Sequence, residues 1–299
     1  MDRIQTMEIF SRVAELGSFS RAAEQLSLPP ATVTNAVQAL EKHMGVRLLH
    51  RTTRKVTLTD EGITYLDRCT RLLAEFEDLD ALFQRDHLNP RGVIRVDLPE
   101  RLAHMVVIPA LPDFFALYPN IQLKLSATDR FVDLVGEAVD CVVRVGPLSD
   151  SSLIARRIGS MEQINCAAKS YLDRCGRPQS LADLQNHVVV NYFSSRTGRE
   201  LGWEYVDSGE PRFLKMSGIV SVNSSDAYLA CCQAGLGLIQ APRLGLEALL
   251  ASGVLEEVLP NFKPAPLPVS IVYAHNRHLS PRVRAFVDWV AKLLATRYA

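Results

Sequence analysis

Residues 18–44, SFSRAAEQLSLPPATVTNAVQALEKHM, decide how the N-terminal region is read. Ser18 or Ser20 can cap a short helix whose Ala22, Ala23 and Leu26 are small or apolar enough for close packing. Pro29-Pro30 fits only the first turn of the next helix, where missing amide hydrogens cost little. That helix runs to Met44 before Gly45, with Val33, Val37, Leu40 and Met44 inward and Thr32, Thr34, Asn35, Gln38 and Lys42 on its open side. Upstream, Ile4, Met7, Phe10, Val13 and Ala14 recur at three- and four-residue intervals, so an earlier helix ends at Gly17. Two short helices joined by a tight turn, the second with a polar open face, make a helix-turn-helix, the arrangement that enters the major groove of double-stranded DNA. A plain three-helix bundle shares the periodicity, so the residues after Gly45 have to decide between the two.

From Lys42 to Thr59 there is no acidic residue. The segment VRLLHRTTRKVTLT reads as a hairpin, because Val46 and Leu48, then Val56 and Leu58, alternate with polar residues around an Arg-Thr-Thr-Arg-Lys tip. A basic hairpin beside a recognition helix is a wing, suited to phosphate or minor-groove contact. Residues 1–59 hold eight basic and five acidic side chains, whereas residues 60–91 hold four and eight, so charge is segregated although the whole chain sums to zero.

At 299 residues, with 47% hydrophobic and 22% charged, the chain is globular, of about two domains, and neither disordered nor fibrous. Its six cysteines (69, 141, 166, 175, 231, 232) show no CxxC spacing and no nearby histidine cluster, which argues against a zinc site and a disulfide scaffold, and no cofactor is expected. The start, Met-Asp-Arg-Ile-Gln-Thr, lacks an export pattern, and no apolar run reaches the roughly 18 residues of a membrane helix, so a cytoplasmic chain is expected. No GxGxxG, Walker, HExxH or GxSxG element appears, and no catalytic residue is nominated. Without an export signal, and with a basic N-terminal module, a solute-binding protein is a poor alternative, as is an enzyme.

SFSRAAEQL, then QALEKHMGVRLLHRTTRKVTLTDEG at 38–62, together with the long helix after them, closely resemble the LysR-type transcriptional regulators. DCVVRVGPLSDSSLIARRIG (140–159) and LPVSIVYAHNRHLSPRVRAFVDWV (267–290) look especially like the branch that includes the CrgA-type regulators. Two departures matter: Pro29-Pro30 stands where the family commonly has a Ser-Gln or Ser-Pro pair, and Asn35 where Arg is frequent. An amide at 35 can pair with adenine, so the family's operator sequence does not carry over.

The expected architecture is therefore α/β with an all-α N-terminal part: a winged helix-turn-helix (1–58), a linker and dimerisation helix with hinge (59–91), and a two-lobed, periplasmic-binding-protein-like effector domain (92–299). Lobe I would comprise 92–162 and 268–299, and lobe II 163–267. DNA contacts are expected from Ser20, Arg21, Thr32, Thr34, Asn35, Gln38, Lys42, Arg51, Thr52, Arg54 and Lys55. Thr59 is a plausible cap for the long helix, with Asp60 and Glu61 in the turn that the helix dipole favours for negative charge. Its Leu66, Cys69, Leu73, Phe76, Leu79 and Phe83 form a stripe with nothing in its own domain to bury it, so a homodimer or homotetramer is expected.

From 93 onward, short strands alternate with helices, including one helix at 131–137, which predicts a parallel sheet. Ligands of such sheets lie outside the carboxyl ends of the strands. Pro99, Glu100, Arg101, Thr128, Arg144, Gly146, Asn223, Ser224 and Ser225 are the resulting effector candidates, with Ser224 and Ser225 opening a helix that can receive an anion. The expected partners are DNA, a small anionic effector and RNA polymerase. A thiol-based redox sensor built on Cys231 or Cys232 remains the alternative of the same fold.

Overall fold

A computed structural model describes residues 2–51, 56–83, 89–134, 136–137, 139–148, 154–273 and 279–298, without the side chains of 77, 78 and 80–83. The chain divides into two compact units, Met1–Leu88 and Asn89–Ala299.

In the first unit, α1 (Arg3–Leu16) is capped by Asp2 and stops at Gly17, whose φ of 59° is the left-handed conformation that glycine adopts without a Cβ penalty. Ser18, not Ser20, caps α2 (Phe19–Gln25), accepting the Arg21 amide. Pro29 and Pro30 open α3 (Pro30–Met44), which Gly45 closes. Val33, Val37 and Leu40 are buried as expected, while Met44 is exposed one turn beyond the core.

The wing differs in detail. Its strands, β1 (Leu49–Arg51) and β2 (Val56–Leu58), pair antiparallel with Leu49 opposite Leu58. The expected alternation breaks because Leu48 and Leu49 are both buried and Val46 is exposed. Leu48 precedes the strand, and its carbonyl accepts the Thr59 amide at 3.0 Å, so the turn into α4 (Asp60–Phe83) draws that side chain inward. Thr59 does cap α4, its hydroxyl accepting the Gly62 amide at 2.9 Å.

The α4 stripe is not without cover. Leu66 and Cys69 pack into the unit's own core with Phe10 and Val13, so the long helix begins as part of the DNA-binding unit. Burial and the neighbouring Cys69 push the Tyr65 hydroxyl up to about 12.

In the second unit, β3 (Gly92–Leu98) leads into one continuous helical stretch made of α5 (Glu100–Leu102), a wide π turn at Ala103–Val107 and α6 (Ile108–Leu117). Pro109 and Pro112 bring no amide hydrogen, and the helix widens just before them. After β4 (Ile121–Ala127), the described residues of 131–137 are irregular at 131–133 and in turns at 134, 136 and 137, not the expected helix. In place of a helix, Glu137 reaches back to the Arg130 guanidinium and the Asp133 amide.

Next come β5 (Cys141–Val145), β6 (Ile154–Met161), β7 (Gln163–Ala168), α7 (Lys169–Cys175), a 3-10 turn at Leu181–Asn186 and β8 (Val190–Tyr192). They are followed by β9 (Trp203–Asp207), β10 (Glu210–Leu214), β11 (Val220–Val222), α8 (Ser225–Gln233), β12 (Ile239–Pro242), α9 (Glu247–Ala251), β13 (Leu255–Glu257), β14 (Leu267–Tyr273) and α10 (Pro281–Tyr298).

The sheets are mixed, not parallel throughout. Lobe I has the order β4-β3-β5-β14-β6, in which β3 pairs parallel with β4 and β5 while β14 runs antiparallel to β5 and β6. Lobe II has β12-β7-β13, both pairs antiparallel, beside a short parallel β11-β8 pair. The returning strand β14 enters from lobe II, so its direction is set by where that lobe ends, which local periodicity does not record. Each lobe has its own apolar core, one around Phe114 and Phe286 and the other around Ile164 and Trp203. Where the chain crosses between them, Glu162 bonds Lys263 at 2.7 Å and Arg243 at 3.4 Å, and both cations also meet Glu257.

Candidate nucleic-acid interface and effector cleft

On α3, Asn35, Gln38 and Lys42 are exposed, while Thr32 and Thr34 are half-buried and flank them. The Thr34 hydroxyl donates to the Pro30 carbonyl at 3.0 Å, so it is engaged with its own helix. Ser20 and Arg21 are exposed on α2. Thr52, Arg54 and Lys55 lie outside the described residues.

Arg51 has a structural task as well as a charge. Its Nη2 donates to Glu41 Oε2 at 2.9 Å, and its guanidinium carbon lies 4.7 Å from the centre of the Phe19 ring. The other oxygen of Glu41 accepts the amides of Leu48 and Leu49 at 2.9 and 3.1 Å. Glu41 thus fixes the first wing strand to the end of the recognition helix. Sequence reasoning missed it, although it is the last acid before the acid-free stretch.

Further along α4, Leu73 is half-buried, and Leu72, Phe76 and Leu79 are exposed. The side chain of Phe83 lies outside the described residues. Of the expected dimer stripe, Leu66 is half-buried against the unit's own core, and Leu72 joins the apolar residues left exposed on this helix.

In the second unit the expected effector residues do meet, from both lobes, yet their polar groups are largely bound to one another. Thr128 donates its hydroxyl to Asp97 at 3.1 Å, and Arg144 Nη1 donates to the same carboxylate at 3.1 Å. Asp97 is fully buried; burial pushes its pKa up, while Ser126, Arg144 and Thr128 pull it back. Sequence reasoning missed Asp97, whose only signal was an acid inside the apolar strand VIRVDL.

Pro99 leads into α5 without a side-chain cap, and the Glu100 amide donates to Asp129 at 3.1 Å. Ser224 caps α8 and donates its hydroxyl to Glu100 at 3.1 Å. The anion held at this helix start is the chain's own Asp129, which accepts the Ser225 amide at 2.6 Å and its hydroxyl at 2.5 Å. Arg101 bonds Asp226 at 3.0 Å and the Gly245 carbonyl at 3.1 Å. Asn223 is exposed, with its carbonyl accepting the Tyr192 hydroxyl at 3.1 Å, and Gly146 closes β5 by donating its amide to Pro268 at 2.9 Å.

Among the described residues, one donor in this constellation has no acceptor: Arg144 Nη2 is buried and finds no partner among them. The Arg144 guanidinium carbon stands 5.9 Å from the centre of the Phe131 ring, and that of Arg196, from lobe II, stands 5.2 Å from the same ring. Close by, Arg95, Asp97, Lys124, Ser126, Arg130 and Glu137 bound a groove of about 300 Å³.

Cys166 and Cys232 are both buried in the core of lobe II, and their contact and burial push the Cys166 thiol up, which disfavours the reactive thiolate. Cys231 is half-buried. Among the described residues no cluster suits a metal ion, and no helix is long and apolar enough to cross a membrane.

Comparison with known proteins places both units. The family of bacterial regulatory helix-turn-helix proteins, lysR family, matches residues 4–63, and the LysR substrate binding domain matches residues 87–295. The chain is 43% identical to the HTH-type transcriptional regulator YhjC of Escherichia coli strain K12, over 98% of each chain. It is 40% identical to an HTH-type transcriptional repressor of Pseudomonas aeruginosa strain UCBPP-PA14, over 99% of this chain and 93% of that one. The solved structure of CrgA, a LysR-type transcriptional regulator from Neisseria meningitidis, is 31% identical and superposes with a TM-score of 0.60 over 97% of this chain and 98% of its own. A capped helix-turn-helix with a wing, a long helix after it and a two-lobed α/β domain, matched along nearly the whole length by the two family models together, place this chain in the LysR family of transcriptional regulators.

Proposed function

We propose that the regulator reads base edges with Asn35 and Gln38, flanked by Thr32, and contacts phosphate with Lys42, Arg21 and the wing residues Arg54 and Lys55, while Arg51 mainly holds the wing in place. Two copies pair through Leu72, Leu73, Phe76 and Leu79 of α4, which gives the dyad that a two-half-site operator requires. The protein acts in the cytoplasm without catalytic chemistry, and its DNA-bound form influences RNA polymerase.

The effector is a small anion bound at the seam between the lobes. The observation that carries this reading is Arg144 Nη2, a buried cationic donor without an acceptor among the described residues. A buried unmatched donor is costly, by about 1–3 kcal/mol or more, and an anionic acceptor removes that cost. Thr128, Ser224 and Ser225 support the seam by bonding the chain's own carboxylates, so they are not the primary anion contacts.

A thermal-shift screen of small carboxylates, run on wild type and Arg144→Gln and completed by gel shift on the upstream DNA, tests it. An effector should raise the melting temperature of wild type by mass action and lose that effect in the variant. Stabilisation only by neutral compounds, or equally in both proteins, would place the effector elsewhere.

A further inference from the structure

The two lobes have separate apolar cores and meet across a seam rich in hydrogen bonds, where Leu244 of lobe II also packs against the core of lobe I. Such a seam can exchange its hydrogen bonds for water, so its opening is a natural two-state motion of two bodies joined by crossing strands. Its contacts are concentrated where the first turns of α5 and α8 face each other. Asp129 is central: one oxygen is held in lobe I by the Glu100 amide at 3.1 Å, and the other takes the amide and hydroxyl of Ser225 in lobe II at 2.6 and 2.5 Å. Glu100 receives the Ser224 hydroxyl beside it, and Arg101 spans to Asp226 and to the carbonyl of Gly245. A further bridge runs from the Phe131 amide to the Ser195 hydroxyl at 3.2 Å. Gly245 permits the approach, since a Cβ there would lie 2.6 Å from Arg101 Nη2.

We propose that Asp129 is the bolt of an interlobe clasp: its carboxylate, seated in lobe I and gripped by the first turn of α8, holds the effector domain closed, and release of this clasp is the regulated step. The carboxylate is charge-matched to a helix start, where unpaired amides and the helix dipole favour an anion, so the closed form needs no ligand. Phe131 lies two residues beyond Asp129, and the guanidinium carbons of Arg144 and Arg196 stand 5.9 and 5.2 Å from its ring centre, so a molecule that takes up Arg144 acts on the segment carrying the bolt. The regulatory half of this proposal rests on an anionic effector binding at Arg144, and the clasp itself does not.

Hydrogen exchange by mass spectrometry on the full chain, wild type against Asp129→Ala, tests the clasp. The peptide spanning 223–233 should exchange at least tenfold faster in the variant, while that of β7, in the core of lobe II, stays unchanged. Unchanged exchange at 223–233 overturns the clasp. If the β7 peptide also accelerates, the variant has lost its fold, and Arg101→Ala decides instead, with faster exchange expected at 243–247 and no change there refuting the proposal. Gel shift on the upstream DNA without effector reads the regulatory half: affinity in the clasp-released variant should differ at least fivefold from wild type. Faster exchange with identical DNA affinity would show a clasp that regulates nothing and overturns the proposal. If neither protein binds the DNA, the operator reading fails, while the exchange data still decide the clasp.

Discussion

Gly62, in the first turn of α4, lies against the backbone of Leu48 at the base of the wing: a Cβ on Gly62 would sit 2.0 Å from the Leu48 carbonyl oxygen and 3.1 Å from a methyl of Leu58. The same carbonyl accepts the Thr59 amide, and the Thr59 hydroxyl donates to the Arg47 carbonyl at 2.7 Å. The run Leu58-Thr59-Asp60-Glu61-Gly62 is thus a joint, with a cap, dipole-matched acids and a glycine where helix and wing backbones touch. Gly62→Ala should force the two apart and destabilise the N-terminal unit by about 1–3 kcal/mol, the usual cost of overpacking. Urea unfolding monitored by circular dichroism checks this; an unchanged midpoint would mean that the joint yields freely.

On α3 the expected split is between specificity and affinity. Asn35→Ala or Gln38→Ala should relax discrimination at one base position, at a cost of about 1–3 kcal/mol against the preferred operator. Lys42→Ala should weaken binding to every sequence alike and reduce the slope of log affinity against log salt by about 1. Titrations of matched and mismatched operators at several salt concentrations separate the two, and a sequence-dependent effect of Lys42→Ala would refute the assignment.

Phe76, 42% exposed, and Leu79, 52% exposed, are expected to be covered in the assembly. Burying each large apolar side chain is worth about 1.5–3 kcal/mol, so Phe76→Glu should dissociate the α4 pairing and lower operator affinity with it. Equilibrium sedimentation reads the mass directly; an oligomer indifferent to this charge pairs through another face.

Lobe II should carry an acid-sensitive element at His187. It is buried, its Nδ1 lies 3.2 Å from the Tyr171 hydroxyl, and burial holds its pKa below 6.5 while Asp183 only partly opposes this. The unfolded chain therefore binds the proton more readily than the folded one. The stability that neutral His187 contributes is complete above 6.5 and is lost as pH falls through the depressed folded value. Melting temperatures measured from about pH 7 down to about pH 5 should fall, and His187→Gln should flatten that fall. An identical slope in the variant would assign the acid sensitivity to other groups.

What sequence alone determined is what short-range physics controls. The three N-terminal helices arise from Gly17, Ser18, Pro29-Pro30 and Gly45, because caps and left-handed glycines act within one turn and need no distant partner. What only the tertiary structure decided are the partners of polar and apolar groups whose alternatives are equal in sequence. Glu41 selects the Leu48 and Leu49 amides and the Arg51 guanidinium, and Leu66 packs against the core of its own unit. Asp129, a plain turn residue in the sequence, finds the Ser225 amide 96 positions away. Residues 131–137 have helical spacing, yet Glu137 bonds back to Arg130 and the Asp133 amide, and the described residues are irregular or in turns, not helical. Each of these outcomes depends on which acceptor or apolar surface the assembled fold brings within about 3–4 Å, a distance set by the packing of whole sheets and helices and not by neighbours in the chain.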